Sequence, residues 1–550
     1  MLATDFGTEM TVGQISGVQD AGGADWWRGA VIYQIYPRSF QDTTGNGLGD
    51  LAGITARLEH VARLGADAIW LSPIFASPMA DMGYDVSDYR AIEPLFGTLD
   101  DFDALLARAH ALGLKVIIDQ VLSHSSDRHP WFANSKKRGD KADWYVWADP
   151  LPDGSPPNNW QSVFGGPAWE WAPERGQYYL HNFLISQPDL NLRNPEVQDE
   201  MLDVLRFWLE RGVDGFRLDT VNYYMHDDQL RPNPPMPPDP DRWPPISLYE
   251  MQDHVHDKNR PENIVFIERM RKLLDSFEAR CLVGEVGEAP HRALQLMGEY
   301  TAGRGRLHMA YSFDMLGPKF SPAHFRARIE GFFAAAADGW PSWSFSNHDV
   351  NRHVTRWAKF GTEDALARQA IALLASFEGT IGIYQGEELG LTETELTYDE
   401  LTDPPGLRFW PENKGRDGCR TPMVWDGTAQ AGFSTAKPWL PVKPPQAARN
   451  VAAQEADPGS VLHHYRAMLA FRRGSNALRT GRSRFFDTPA PVLGFERVSA
   501  QECLTCLFNL GPEPVVMPSP GGQPVGPVLA AELEGGQIRL GPNGALWLKA

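Results

Sequence analysis

The stretch "VDGFRLDTVNYY", residues 213–224, opens as a buried strand and ends with an arginine and an aspartate two residues apart. Side chains alternate along a strand, so Val213, Gly215, Arg217 and Asp219 share one face and Phe216 and Leu218 the other. Burying ionised groups is costly unless they are paired or do work. Taken alone, Arg-x-Asp reads most simply as a structural ion pair that ties a strand end to its neighbours. The surrounding sequence shifts that reading.

On either side of this strand, short apolar runs alternate with amphipathic helical patterns. "VIYQIY" (31–36), "DAIWL" (67–71) and "KVIID" (115–119) precede it, and "CLVGE" (281–285), "HMAYSFDM", "WSFSNHD" and "TIGIYQG" follow. The βαβα rhythm predicts a parallel sheet with helices outside, and eight strands are the number that closes. The expected class is α/β, a (β/α)8 TIM barrel built from residues 25–123 and 196–474. Residues 124–195 are rich in Pro, Gly, Asn and aromatics, too long for a loop, and are read as an inserted subdomain after strand 3. The proline-rich run "RPNPPMPPDPDRWPP" (231–245) follows the strand of Asp219. Loops at the C-terminal strand ends build barrel active sites, so both insertions are expected to wall one closed pocket. From 475 to 550 strands alternate with Gly/Pro turns, which predicts a C-terminal antiparallel β-domain. Residues 1–24 read as a lead-in.

Composition narrows the partners. The 550-residue chain carries a formal charge of −19, which disfavours nucleic acid and anionic membrane, since both need a basic face. Its 18 tryptophans suit sugar stacking, although core packing is their commoner use. Four cysteines make no disulfide framework in a chain this long, and the single C-x-x-C of Cys503 and Cys506 lies on a strand that points them to opposite faces. The N-terminus has neither a basic nor an apolar signal region, and no run is apolar enough for a membrane span. A cytoplasmic protein is expected, its oligomeric state left open.

Other strands end as the first one does. "DQVLSH" runs from Asp119 to His124, "LVGE" ends in Glu285, and "FSNHD" carries His348 and Asp349. A barrel gathers these ends around one cavity. Two carboxylates flanking a bond, one ionised and one protonated, are the equipment for glycoside hydrolysis. Arg217 beside Asp219 favours its charge, as a nucleophile requires, and the apolar run before Glu285 favours a proton donor.

"DQVLSH", "GFRLDTV", "LVGEVGE" and "FSNHD", in that order, resemble the signature regions of glycoside hydrolase family 13, the α-amylase clan. "QPDLN" (187–191), "GYDVSDYRAI", "YQGEELG" and "GRDGCRTPM" are similar to its oligo-1,6-glucosidase-like branch, and within it to α-glucosidases. The resemblance implies a retaining double displacement, with Asp219 as nucleophile, Glu285 as acid/base, Asp349 as transition-state stabiliser and Arg217 orienting the nucleophile. It implies that Asp85, His124, His348 and Arg416 grip the glucose ring, between Tyr84, Phe164 and Phe183. Asp119 is structural in the family. Thr220, after the nucleophile, accompanies α-1,4 preference in the family, whereas Val there accompanies α-1,6.

"DTTGNGLGD" (42–50) places oxygens of Asp42, Thr44, Asn46, Leu48 (through its carbonyl) and Asp50 at alternate positions of a Gly-rich loop. An Asx-rich turn explains this by itself; the resemblance implies structural Ca2+ (or Mg2+). The function expected is an exo-acting retaining α-glucosidase acting on short α-glucosides such as maltose, with possible transglucosylation. The alternative on the same scaffold is a sucrose isomerase or transglucosylase. A catalytically dead transporter-subunit relative would be expected to have lost catalytic carboxylates, which are all present here.

Overall fold

A computed structural model describes residues 23–238 and 245–549. The expected lead-in therefore lies almost wholly outside the described residues, and so does the middle of the proline-rich run, 239–244. All eight anticipated barrel strands form: β1 (Val31–Ile35), β2 (Ala68–Leu71), β3 (Lys115–Gln120), β4 (Gly215–Leu218), β5 (Cys281–Val286), β6 (Met309–Ser312), β7 (Ser342–Ser344) and β8 (Thr380–Tyr384). They pair in parallel in the order β6-β5-β4-β3-β2-β1-β8-β7. A parallel bridge between Ala310 and Pro341 joins the two ends, so the sheet closes.

The barrel interior is filled by Ile32, Ala68, Trp70, Ile117, Cys281, Val283, Met309 and Tyr311, with Trp26, Trp27 and Trp340 in the same cluster. Phe216 and Leu218 belong instead to the large core under the helices, as alternation along β4 requires. Gly215 has a packing reason. A Cβ there would lie 2.6 Å from the Cys281 sulfur and 2.7 Å from its carbonyl oxygen, so any larger residue would push β4 away from β5.

Eight helices, α1 (Leu51–Leu64), α2 (Leu99–Ala111), α3 (Pro195–Glu210), α4 (Asn263–Leu274), α5 (Pro290–Thr301), α6 (Pro322–Ala335), α7 (Glu363–Leu374) and α8 (Val461–Gly474), follow the strands in turn. Their starts carry local signals. Asp50 caps α1 by accepting from the Gly53 amide, Thr98 and Asp101 form a reciprocal capping box on α2, and Asn194 precedes Pro195 on α3.

After β3 the insertion folds as a short helix, Pro130–Lys136, and a three-stranded antiparallel sheet of Trp147–Ala148, Gln177–Leu180 and Trp169–Ala172. A bridge from His124 to Asp189 ties its exit to the chain just past β3, and one from Tyr145 to Leu190 ties that exit back onto the insertion itself. The final sheet comprises β9 (Arg482–Phe486), β10 (Val492–Val498), β11 (Cys503–Asn509), β12 (Val515–Pro518), β13 (Gln523–Glu534) and β14 (Gln537–Lys549), all antiparallel. It is joined to the barrel by buried polar contacts: the Trp547 indole donates to Ser376 and Arg497 donates to the Ser376 carbonyl. The four cysteines are free, and Cys503 is paired in register with Val498 while Cys506 faces Phe495.

Candidate active site

The register of β4 and β5 sets the first distance in the site. Gly215 pairs with Cys281 and Leu218 with Gly284, so the next residues, Asp219 and Glu285, leave adjacent strand ends side by side. Neighbouring strands lie about 4.8 Å apart. Arg217 lies below both, 1% exposed, and its guanidinium reaches Asp219 at 2.6 Å, Glu285 at 2.6 Å and Asp119 at 2.7 Å. The Tyr311 hydroxyl accepts from Arg217 and donates to Glu285 at 3.1 Å, and the Arg217 guanidinium sits 5.0 Å from the Trp70 ring centre. The pair at the end of β4 is thus part of a five-group knot under a cavity.

One cation among three carboxylates cannot keep them all ionised. Burial pushes Asp219 and Glu285 each up to about 7 and Asp119 up to about 6, against the pull of Arg217. The expectation that Arg217 holds Asp219 low is therefore not met. Both carboxyls are raised by burial while one guanidinium serves them together, so the charge of either disfavours the charge of the other. Asp349 behaves oppositely. Burial opposes its charge, but the Arg416 and Arg420 guanidiniums outweigh burial and hold its carboxyl well below the usual range. Arg420 lies 3.1 Å and Arg416 3.3 Å from it.

Asp219, Glu285 and Asp349 share a cavity of about 420 Å3 with Asp81, Tyr84, His124, Phe164, Phe183, Thr220 and Arg416. Burial lowers His124 to about 4 and pushes His348 well down, so both imidazoles are neutral hydrogen-bonding groups. Tyr84 stacks on His348 with ring centres 5.4 Å apart and planes at 7°. The insertion supplies the facing wall: Phe164 and Phe183 meet edge to face at 5.8 Å, and Arg416 stands 5.2 Å over Phe164. The Ser162 hydroxyl donates to the Phe183 carbonyl and accepts from the Phe164 amide, locking the two aromatics to one turn.

Three expected binding residues stand elsewhere. Arg217 and His348 lie beneath the lining and act on it through Asp219, Glu285, Tyr84 and Asp349. Asp85 is not part of the cavity at all. Its carboxylate accepts from the Ser77 hydroxyl and from the Ala80 and Asp81 amides, so it braces the turn before it. Asp81 takes the position expected of Asp85. It lines the cavity, pairs with Arg416 at 2.8 Å and accepts from Gln187 at 3.0 Å. Two acids flank Gly83–Tyr84 in "DMGYD", and spacing alone does not say which one turns inward. Gln187 also lies 3.2 Å from His124. It opens "QPDLN", so the motif was visible although the residue's contact was not.

Thr220 has φ +41° and ψ +49°, a left-handed conformation that a β-branched residue rarely adopts. The strain has a local return, because this turn aims the Thr220 amide at Glu285 at 3.0 Å. Its hydroxyl donates to Asp219 at 3.2 Å and meets Ser123 at 3.1 Å, so Thr220 braces the carboxyls of both Asp219 and Glu285.

The loop at 42–50 is closed by its own donors. Asp42 accepts from the amides of Thr44, Gly45 and Gly47 and the hydroxyls of Thr44 and Ser434. Asp50 accepts from Thr43 and caps α1, and Asn46 accepts from the Leu48 amide. Among the described residues no group of three or more His, Cys, Asp or Glu side chains gathers as a metal site. The donor set, two carboxylates and an amide oxygen on one loop, still suits a hard cation.

Residues 34–481 match the α-amylase catalytic-domain model. The chain belongs to the α-amylase family of glycoside hydrolases. It is 58% identical over 496 residues to a probable α-glucosidase of Rhizobium meliloti (strain 1021), covering 89% of this chain and 90% of that protein. The crystal structure of an α-glucosyl transfer enzyme, XgtA, superposes with a TM-score of 0.92 at 52% identity, covering 96% of this chain and 99% of that one. The trehalulose synthase MutB of Pseudomonas mesoacidophila MX-45 superposes with a TM-score of 0.84 at 33% identity, covering 95% and 99%.

The placement of the two acids is testable. Asp81→Asn removes a carboxylate that holds Arg416 at the cavity and is expected to lower kcat/KM about a hundredfold with little change in Tm. Asp85→Asn is expected to lower Tm and leave kcat/KM per folded molecule within about threefold. Steady-state kinetics with thermal melts decide it; the reverse pattern restores Asp85 to the binding site.

Proposed function

We propose that this protein is a retaining, exo-acting α-glucosidase that releases terminal glucose from short α-1,4-linked glucosides such as maltose. The observation that carries the reading is the pairing of Asp219 and Glu285 at adjacent strand ends over one arginine. Side-by-side carboxyls at strand spacing match the about 5–5.5 Å separation of retaining enzymes rather than the wider gap that admits a water. Asp219 attacks the anomeric carbon while Glu285 protonates the departing oxygen; Glu285 then takes a proton from the water that releases glucose. Asp349, held ionised by two arginines, faces the positive charge that develops on the ring. Asp81, His124, Arg416 and the Tyr84–Phe183–Phe164 walls suit a single terminal sugar, and the likeness to the Rhizobium α-glucosidase supports that substrate class. Transglucosylation, or isomerisation of sucrose, is the second reading, supported by the likeness to XgtA and MutB; it shares the first half-reaction. No described helix is long and apolar enough to cross a membrane, and the free cysteines suit the reducing cytoplasm.

Asp219→Asn and Glu285→Gln are each expected to lower kcat on maltose by roughly three orders of magnitude or more, with Tm little changed. For the wild type, kcat/KM should follow a bell. It falls in acid as Asp219 takes up a proton and falls above about 7 as Glu285 loses one. NMR should find α-glucose as the first product, and β-glucose would overturn the assignment.

Linkage preference is assigned to Thr220. Thr220→Val keeps a β-branched side chain, so the backbone strain stays, and removes only the hydroxyl. Wild-type rates should favour maltose over isomaltose, and the variant should narrow that ratio about tenfold. Equal wild-type rates would leave linkage to the loops.

A structural cation, Ca2+ or Mg2+, is proposed at Asp42, Asn46 and Asp50, with the Thr44 and Leu48 carbonyls as further donors. It would pin the loop between β1 and α1 and take no part in the chemistry. EDTA should lower Tm by a few degrees and added Ca2+ should restore it; an unchanged melt, with no cation found by elemental analysis, would reject the site.

A further inference from the structure

The outer half of the cavity is organised by a buried lysine. Lys258 is 3% exposed, yet it lines the cavity and ties together the connections that follow β4 and β5. Its ammonium lies 2.7 Å from the Gly287 carbonyl, 2.9 Å from the Tyr249 hydroxyl and 3.1 Å from the Tyr223 hydroxyl, with Glu288 at 3.6 Å. Tyr223 follows the nucleophile by four residues, Gly287 follows the acid/base by two, and Tyr249 comes from the excursion after β4. Glu288 is itself engaged by Asn259, Arg292 and the Ala289 amide, so it holds the lysine and is not free for a ligand.

The protons can be counted. A lysine has three and no acceptor, and here Gly287, Tyr249 and Tyr223 take them all. The two phenols are 2.5 Å apart, and that contact consumes one phenol proton. One phenol proton is left, on one of two tyrosines that line the cavity, and it cannot be turned toward the ammonium. Lys258 therefore leaves one phenol donor unspent in the cavity that Tyr223 and Tyr249 share with Asp219 and Glu285. The segment carrying Tyr249 is braced as well: His254 stacks on Tyr249 with ring centres 3.8 Å apart, donates to the Tyr249 carbonyl at 2.8 Å, and pairs with Asp257 at 2.6 Å.

We propose that Lys258 is the positioning residue of the leaving-group wall: through Tyr223 and Tyr249 it presents a hydrogen-bond donor to a hydroxyl of the departing sugar, and to the same hydroxyl of an acceptor sugar. This rests on the reading of Asp219 and Glu285 as the reacting pair. The ligand class is a hydroxylated sugar, because a fixed phenol donor beside an otherwise aromatic wall recognises an oxygen acceptor and gains nothing from an apolar group.

The test compares maltose with p-nitrophenyl α-glucoside, whose leaving group departs without a sugar hydroxyl. Lys258→Met is expected to lower kcat/KM on maltose about tenfold, mainly through KM, and on the aryl glucoside less than about threefold. Transfer of glucose to added glucose should fall with the maltose reaction. Tyr249→Phe, which keeps the ring and removes the hydroxyl, should reproduce the split and stands in if Lys258→Met does not fold. Equal losses on both substrates, or no loss on maltose, would overturn the role of Lys258. A wild type that releases glucose from neither substrate would instead overturn the glucosidase reading.

Discussion

Everything in the site hangs on the sharing of one buried guanidinium. Arg217 leaves β4 toward the barrel axis and meets Asp119 from β3, Asp219 from its own strand and Glu285 from β5. Three negative groups in that space would repel one another strongly at low dielectric, and one positive group among them makes the cluster tolerable without making it neutral. The remaining imbalance is relieved by protons. A buried ion pair that merely fastened a strand would be complete with one partner; this one is held short of completion, and burial raises both Asp219 and Glu285 above the usual carboxylate range.

The second charged layer follows another logic. Around Asp349, Arg416 and Arg420 face Asp81 and Asp403 as well, so cations and anions nearly match, and Asp349 stays ionised. The floor of the cavity is therefore a pair that titrates, and its side is a carboxylate that does not. The walls are added by loops from separate parts of the chain, which lets the barrel keep its register while the shape of the mouth varies.

Much of this was legible in the sequence. The eight strands carried short apolar runs between amphipathic helices, and Asp219 and Glu285 stood at the ends of strands whose pattern was already clear. Alternation placed Arg217 and Asp219 on the inner face before any coordinates. What was not legible depended on turns and on sharing. Asp81 and Asp85 flank Gly83, at φ +111°, and the turn's hydrogen bonds decide which carboxylate faces inward. Arg217 beside Asp219 in sequence suggested a private pair, and only the neighbouring strands reveal its other two claimants. Lys258, Tyr249 and Gln187 sit in loops where no periodicity marks a direction, and Thr220 occupies a conformation that its residue type argues against.

Gly215 looks like a packing detail at the bottom of β4. By leaving room for Cys281 it lets two strands run at normal spacing from the barrel floor to Asp219 and Glu285. The spacing of these two carboxyls is thus inherited from the sheet and only finished by the side chains. Widening the gap between them on this scaffold would mean shortening or lengthening a side chain, because the backbone has no slack to offer. Their separation is a property of secondary structure, set two turns of the pleat below them.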